Sequence, residues 1–172
     1  DAVEQMKDSC AVLAAYHAND PSVGLSASID LRRFKLFLAD TGLFVTLAFK
    51  DKAATENVIY EKLLSDKLPA NLGYLYENIV AQTLATSGNR LFYHTFASKS
   101  AKRNYEADFL LARKDKICPI EVKSSGYKTH ASVDAFQAKY SNRILARYLI
   151  TPKDLHKDRD IFCIPFYLAQ FL

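Results

Sequence analysis

The sequence predicts an α/β protein in which helices pack on a mixed sheet. Three observations carry that expectation. Residues 72–151 read in the order helix, three strands, helix, strand. Helical and two-residue apolar periods alternate along this stretch, as they do where helices cover a sheet. The second helix falls between the third and fourth strands, which lets that pair run parallel through a crossover.

Bulk properties agree. With 172 residues the chain has room for one sizeable core, or for two small units sharing an interface. Hydrophobic residues make up 49% and charged residues 24%, a globular balance rather than a disordered or membrane one. No apolar run approaches the roughly 18–20 residues needed to span a bilayer, and the opening Asp1-Ala2-Val3-Glu4-Gln5 does not read as a signal peptide. The net charge of +4 permits a polyanionic partner without requiring one. Cys10, Cys118 and Cys163 lie far apart with no CxxC pair, which points to a reducing, cytoplasmic setting. His17, His94, His130 and His156 are equally scattered, so any metal is expected on oxygen ligands. The chain lacks an initiator Met and its first residues already read as a helix, so it is expected to start mid-protein, with N-terminal sequence missing.

Residues 1–70 are expected to form a small, mainly helical region packing on the core, with the second unit at 71–172. Helical spacing near residues 2–10 gives way to an extended segment at 11–17 and the turn-rich Asn19-Asp20-Pro21-Ser22-Val23-Gly24. Phe34-Lys35-Leu36-Phe37-Leu38 is strand-like, and Asp40 or Thr41 is placed to cap a short apolar helix over 43–49. Residues 51–70 are polar and helical in tendency.

The regular pattern begins at Leu72. A helix over 73–87 shows an apolar stripe of Leu75, Tyr76, Ile79, Val80, Thr83 and Leu84, ended by Gly88-Asn89. Strands follow at 90–96, 106–113 and 117–125, the last two joined by the hairpin-length Lys114-Asp115-Lys116. A helix over 131–140 and a strand over 144–150 come next, and the apolar segment 161–172 closes the core as a strand or short helix.

Two-residue periodicity then gathers a candidate site. Glu121 and Lys123 point to one face of their strand, and Ile120 and Val122 to the other. Asp108, Leu110 and Ala112 share a face on the preceding strand. The hairpin brings position 108 opposite 121–122, so Asp108 and Glu121 converge at one end of the sheet. Taken alone, Glu-x-Lys is usually an ion pair on a wetted face; Asp108 across the hairpin and Glu77 on the helix before it give the set its chemistry.

These residues resemble the PD-(D/E)XK nuclease superfamily, whose αβββαβ core carries a helix acid, an Asp on the second strand and E-x-K on the third. The matching stretches are Leu75-Tyr76-Glu77-Asn78, Glu106-Ala107-Asp108-Phe109-Leu110 and Pro119-Ile120-Glu121-Val122-Lys123-Ser124-Ser125. Together with Phe37-Leu38-Ala39-Asp40-Thr41-Gly42-Leu43, they look like a DUF4143 domain, most specifically over residues 72–151. Ala107 stands where the superfamily name places Pro, a change that alters strand shape and removes no ligand.

The resemblance implies a Mg²⁺- or Mn²⁺-dependent nuclease domain at the C-terminal end of an AAA-type ATPase. Asp108 and Glu121, with the Ile120 or Val122 carbonyl, are expected to hold the ion, and Glu77 a second ion or a water. Lys123 is expected to assist the attacking water or steady transition-state charge. Lys99, Lys102, Arg103 and Lys128 are expected phosphate contacts, with DNA the favoured partner. Gln137 resembles glutamines near such sites, His130 is a loop residue able to act as a base, and Tyr93, Tyr105 and Tyr127 suit packing better than base stacking. No Walker A pattern occurs in this chain, so ATP belongs to the absent ATPase half. The alternatives are a nuclease-fold module that binds nucleic acid without turnover, and one that regulates the ATPase.

Overall fold

The computed structural model describes residues 2–49, 72–98, 104–124 and 129–172. It is an α/β fold with two mixed sheets. Helix α1 (Ala2–Asp8) leads into β1 (Val12–Ala18), and a short 3₁₀ helix (Leu25–Ser28) leads into β2 (Ile29–Leu38). Helix α2 spans Thr41–Phe49, with the Asp40 carboxylate accepting the Gly42 and Leu43 backbone N–H groups at 2.7 and 3.2 Å. Asp40 rather than Thr41 is therefore the cap, satisfying donors that the first turn leaves without partners.

The described part of the first region is not mainly helical. Its seven- and ten-residue strands β1 and β2 pair antiparallel, and β1 also pairs in parallel with β3 (Phe92–Phe96). Residues 12–38 thus complete a sheet with strands that lie beyond residue 90. The helical tendency read over 51–70 lies outside the described residues.

Helix α3 (Leu72–Thr86) ends where Gly88 takes φ +83°, a left-handed conformation that costs glycine little. Strand β4 (Tyr105–Ala107) pairs with β3, and β5 (Phe109–Arg113) pairs with β6 (Lys116–Val122). The hairpin turns on Lys114-Asp115, Lys116 being already paired with Arg113. Helix α4 (Ala131–Tyr140) crosses over to β7 (Arg147–Thr151), which runs parallel to β6 as the order of elements requires. Strands β8 (His156–Asp158) and β9 (Ile161–Pro165) finish the sheet, and a 3₁₀ helix (Phe166–Phe171) closes the chain. The strand orders are β2-β1-β3-β4 and β5-β6-β7-β9-β8.

The two faces have different covers. Val80, Ala81 and Leu84 of α3 pack with Ala15, Phe37, Tyr93, Phe109, Leu111, Cys118, Ile120 and Ile150. Phe136 of α4 packs on Phe92, Phe96, Ala107, Leu110 and Ile117 on the other side. Among the described residues no helix is long and apolar enough to cross a membrane.

The buried stripe of α3 is rotated from the expected one, because it includes Asn78, 1% exposed. Its side chain makes the hydrogen bonds a neighbouring strand would make. Oδ1 accepts the Leu38 N–H at 2.8 Å, and Nδ2 donates to the Leu38 carbonyl at 3.0 Å and to Thr41 Oγ1 at 3.2 Å. A buried amide is tolerated only when so satisfied. This contact fixes α3 against the end of β2.

Candidate active site

The expected single strand over 106–113 is broken at Asp108. Before it the chain pairs with β3, and after it with β6. Side-chain alternation breaks there as well. Ala107 and Leu110 lie on the α4 side, whereas Phe109 and Leu111 lie on the α3 side. In an unbroken strand Ala107 and Phe109 would share a face. Asp108 therefore sits on the seam between the two faces and not in the row of Leu110 and Ala112.

Its place opposite β6 is as the hairpin demands. Phe109 faces Ile120, so the next step back sets Asp108 against Glu121. A carboxyl oxygen of Asp108 accepts the Val122 backbone N–H at 2.7 Å. Glu121 is 5% exposed, an unusual position for a carboxylate. Its Oε1 lies 2.5 Å from Lys123 Nζ, so these two side chains share a face as the alternation predicts, and its buried Oε2 has no hydrogen-bond partner among the described residues.

Glu77 reaches the cluster from α3, and two residues outside the expected set join it. Lys35 Nζ, from β2, lies 2.5 Å from Glu106 Oε1 and 3.6 Å from Glu77 Oε2. It also lies 5.2 Å from the centroid of the Tyr93 ring. The only sequence signal for Lys35 is its spacing from Phe37, which puts a cation on the face that buries an aromatic ring. Glu106 belongs to an expected strand, but nothing in its spacing marks its side chain.

Electrostatics ties the members together. Burial pushes the Asp108 carboxyl up to about 8; the Glu77 charge adds to the push, and the Val122 N–H and Lys35 oppose it. Burial also raises Glu77, against the pull of Lys35. Lys35 is disfavoured as a cation by burial, but Glu106, Glu77 and Asp108 outweigh this and hold it above the usual lysine range. Glu77 also feels the charge of Lys123. The structure thus brings Glu77, Asp108, Glu121 and Lys123 into one electrostatic neighbourhood. Among the described residues no three His, Cys, Asp or Glu side chains are gathered closely enough to form a ready-made metal cage.

The remaining candidates separate. Lys99, Lys102, Arg103, Tyr127 and Lys128 lie outside the described residues. Tyr93 is buried in the core, and Tyr105 packs against Phe96 with ring centroids 5.5 Å apart. Gln137 is half-buried on α4. His130 precedes α4 and its Nδ1 lies 2.6 Å from Asp134 Oδ2. Arg147, buried at the start of β7, donates to Asp134 Oδ1 at 2.8 Å and to Asp160. This ion network, unmarked by any sequence motif, braces the start of α4 against β7 and the β8–β9 turn.

Comparison with known proteins gives one match. The family model described as "Domain of unknown function (DUF4143)" matches residues 72–168. No curated protein and no solved structure matches the chain.

Proposed function

The chain belongs to the DUF4143 family, and from that premise we propose that it is a metal-dependent, nuclease-type domain acting on nucleic-acid phosphodiesters. The observation that carries the reading is Glu121: a carboxylate 5% exposed, with one oxygen on Lys123 and the other lacking a partner among the described residues. Desolvating an acid in this way is costly unless a cation or hydrogen bond compensates. Asp108, fastened to the same strand and strongly desolvated, adds a second oxygen donor.

The donor set fits a hard divalent ion. Asp108 and Glu121 would hold it, with Glu77 as a further ligand or the anchor of a water. When bound, Mg²⁺ or Mn²⁺ supplies positive charge to the phosphodiester and makes a water more acidic. Lys123 would then turn from Glu121 toward the phosphate oxygens, where charge grows in the transition state. The half-exposed position of Lys123 leaves it open to such a partner. A PD-(D/E)XK-type core, attachment to an AAA-type ATPase and a cytoplasmic setting belong to this proposal; the described cysteines, which form no disulfide, support the last.

A second reading has its own support. Lys123 already pairs with Glu121, and Lys35 with both Glu77 and Glu106, an arrangement that also suits a catalytically silent module for nucleic-acid binding or ATPase regulation. Nicking and end degradation, measured on single-stranded, duplex and RNA substrates with Mg²⁺ or Mn²⁺, separate the two. For the nuclease, Lys123→Ala and Asp108→Asn abolish cleavage, and Lys123→Ala retains Mn²⁺ binding. Tight binding with no cleavage by the full-length protein, with and without ATP, would establish the silent module instead.

A further inference from the structure

Lys35 lies on β2, outside the segment matched by the family, yet its ammonium is embedded in the acidic cluster. The sheet explains how it gets there. Lys35 stands opposite Ala15 on β1, and Glu106 stands opposite Thr95 on β3. Ala15 is fully buried and has no side chain beyond Cβ, so the lysine stem passes over β1. It then lies on the Tyr93 ring of β3 and meets Glu106 of β4. One cation from the edge strand thus reaches across the sheet to carboxylates on β4 and α3.

We propose that the Lys35 ammonium is a tethered cation that occupies the acidic end of the site and competes with a divalent ion for it. This rests on the reading of Glu77, Asp108 and Glu121 as an ion site. Like charges brought within a few ångströms repel strongly where water is partly excluded. A divalent ion held through Glu77 therefore has to displace Lys35 or tolerate it. Lys35 also keeps the carboxylates from repelling one another before the ion arrives, so the same residue stabilises the ion-free fold and weakens ion binding. Divalent-ion affinity is then set in part by the β1–β2 hairpin, and anything that draws Lys35 away, such as a phosphate group of a bound polyanion, raises it.

Mn²⁺ titration calorimetry on this chain tests the idea, with melting followed in parallel. Lys35→Met binds Mn²⁺ at least about tenfold tighter than wild type, a gain of about 1.4 kcal/mol. It also melts lower without the ion and gains more from it. Lys35→Arg, which keeps the charge, stays within about twofold of wild type. Should Lys35→Met fail to fold, Lys35→Gln keeps a polar end without charge and is expected to tighten binding in the same direction. Unchanged or weaker binding in the neutral variants overturns the proposal. Glu121→Gln separates that failure from failure of the site reading. If wild type binds Mn²⁺, Glu121→Gln abolishes binding and Lys35→Met leaves it unchanged, only the role of Lys35 falls. If no variant and no wild-type sample binds Mn²⁺, both fall.

Discussion

A carboxyl oxygen of Asp108 accepts the Val122 backbone N–H at 2.7 Å, so the residue at the strand bend is fastened to the end of the strand that bears Glu121 and leads directly into Lys123. The same carboxyl is pushed up to about 8 by burial. A raised carboxyl stabilises the fold while protonated, and that contribution is lost as pH rises from the unfolded value, about 4, through the folded one. Urea melts of the ion-free chain should therefore show this contribution waning between pH 4 and 8. Asp108→Asn keeps the acceptor for Val122 and removes the loss. The variant is expected to be more stable than wild type at pH 8, by roughly 1–2 kcal/mol, well under the full linkage value because Lys35 and Glu77 share the charge. A variant equally or less stable at pH 8 would contradict the buried-acid account.

Asn78 is expected to be among the most sensitive positions outside the site. Asn78→Ala strands the Leu38 N–H and carbonyl, each costing about 1–3 kcal/mol when buried without a partner. A drop of about 2–4 kcal/mol in chemical denaturation is expected on the same grounds. A change below about 0.5 kcal/mol would mean that water replaces the amide at no cost and that this interaction does not fix α3.

His17 and His94 give the opposite pH trend. The Thr95 backbone N–H donates to His17 Nε2 at 3.1 Å, so that nitrogen must be unprotonated. His94 Nδ1 lies 2.7 Å from the Ala18 carbonyl, and Nε2 lies 3.0 Å from the Tyr140 hydroxyl. Burial lowers both rings from the ordinary histidine value, and Arg33 lowers His17 further. A lowered histidine contributes stability above its unfolded value, about 6.5, and loses it as pH falls. Stability of the Asp108→Asn chain, freed of the competing trend, should drop below about pH 6.5. Replacing both histidines with Gln should flatten that drop. A drop of undiminished size would place the acid sensitivity in other groups.

Lys99, Lys102 and Arg103 are the expected phosphate-binding cations. Neutralising all three should weaken duplex binding and reduce the slope of log affinity against log salt by up to about 0.9 for each phosphate no longer neutralised. An unchanged slope would move the polyanion surface elsewhere.

Much of this fold is legible from period and punctuation. α4 spans residues 131–140 as its spacing predicts, and Gly88 ends α3 where expected. The opposition of 108 and 121 follows from hairpin arithmetic alone. What the sequence hides are features that arise only between distant segments. The seam at Asp108 breaks a two-residue alternation that looks unbroken in sequence, because pairing switches from β3 to β6 at that point. Parallel pairing of β1 with β3 joins segments some 75 residues apart (Tyr16 with Phe92) and has no local signature. The role of Lys35 is hidden for the same reason: Glu106 is brought to it through that pairing, and Glu77 by the packing of α3, so its spacing from Phe37 is the one local sign it carries.

The β1–β3 pairing also governs how the chain tolerates being cut. The family match begins at residue 72, an inviting start for a shortened gene. Such a fragment would strip β1 from β3 and bare the backbone donors and acceptors of a strand carrying Phe92, Tyr93 and Phe96. An open, apolar strand edge recruits other copies of itself. Inclusion bodies from that fragment would report a missing neighbour strand, and would say nothing of the chemistry at Glu121.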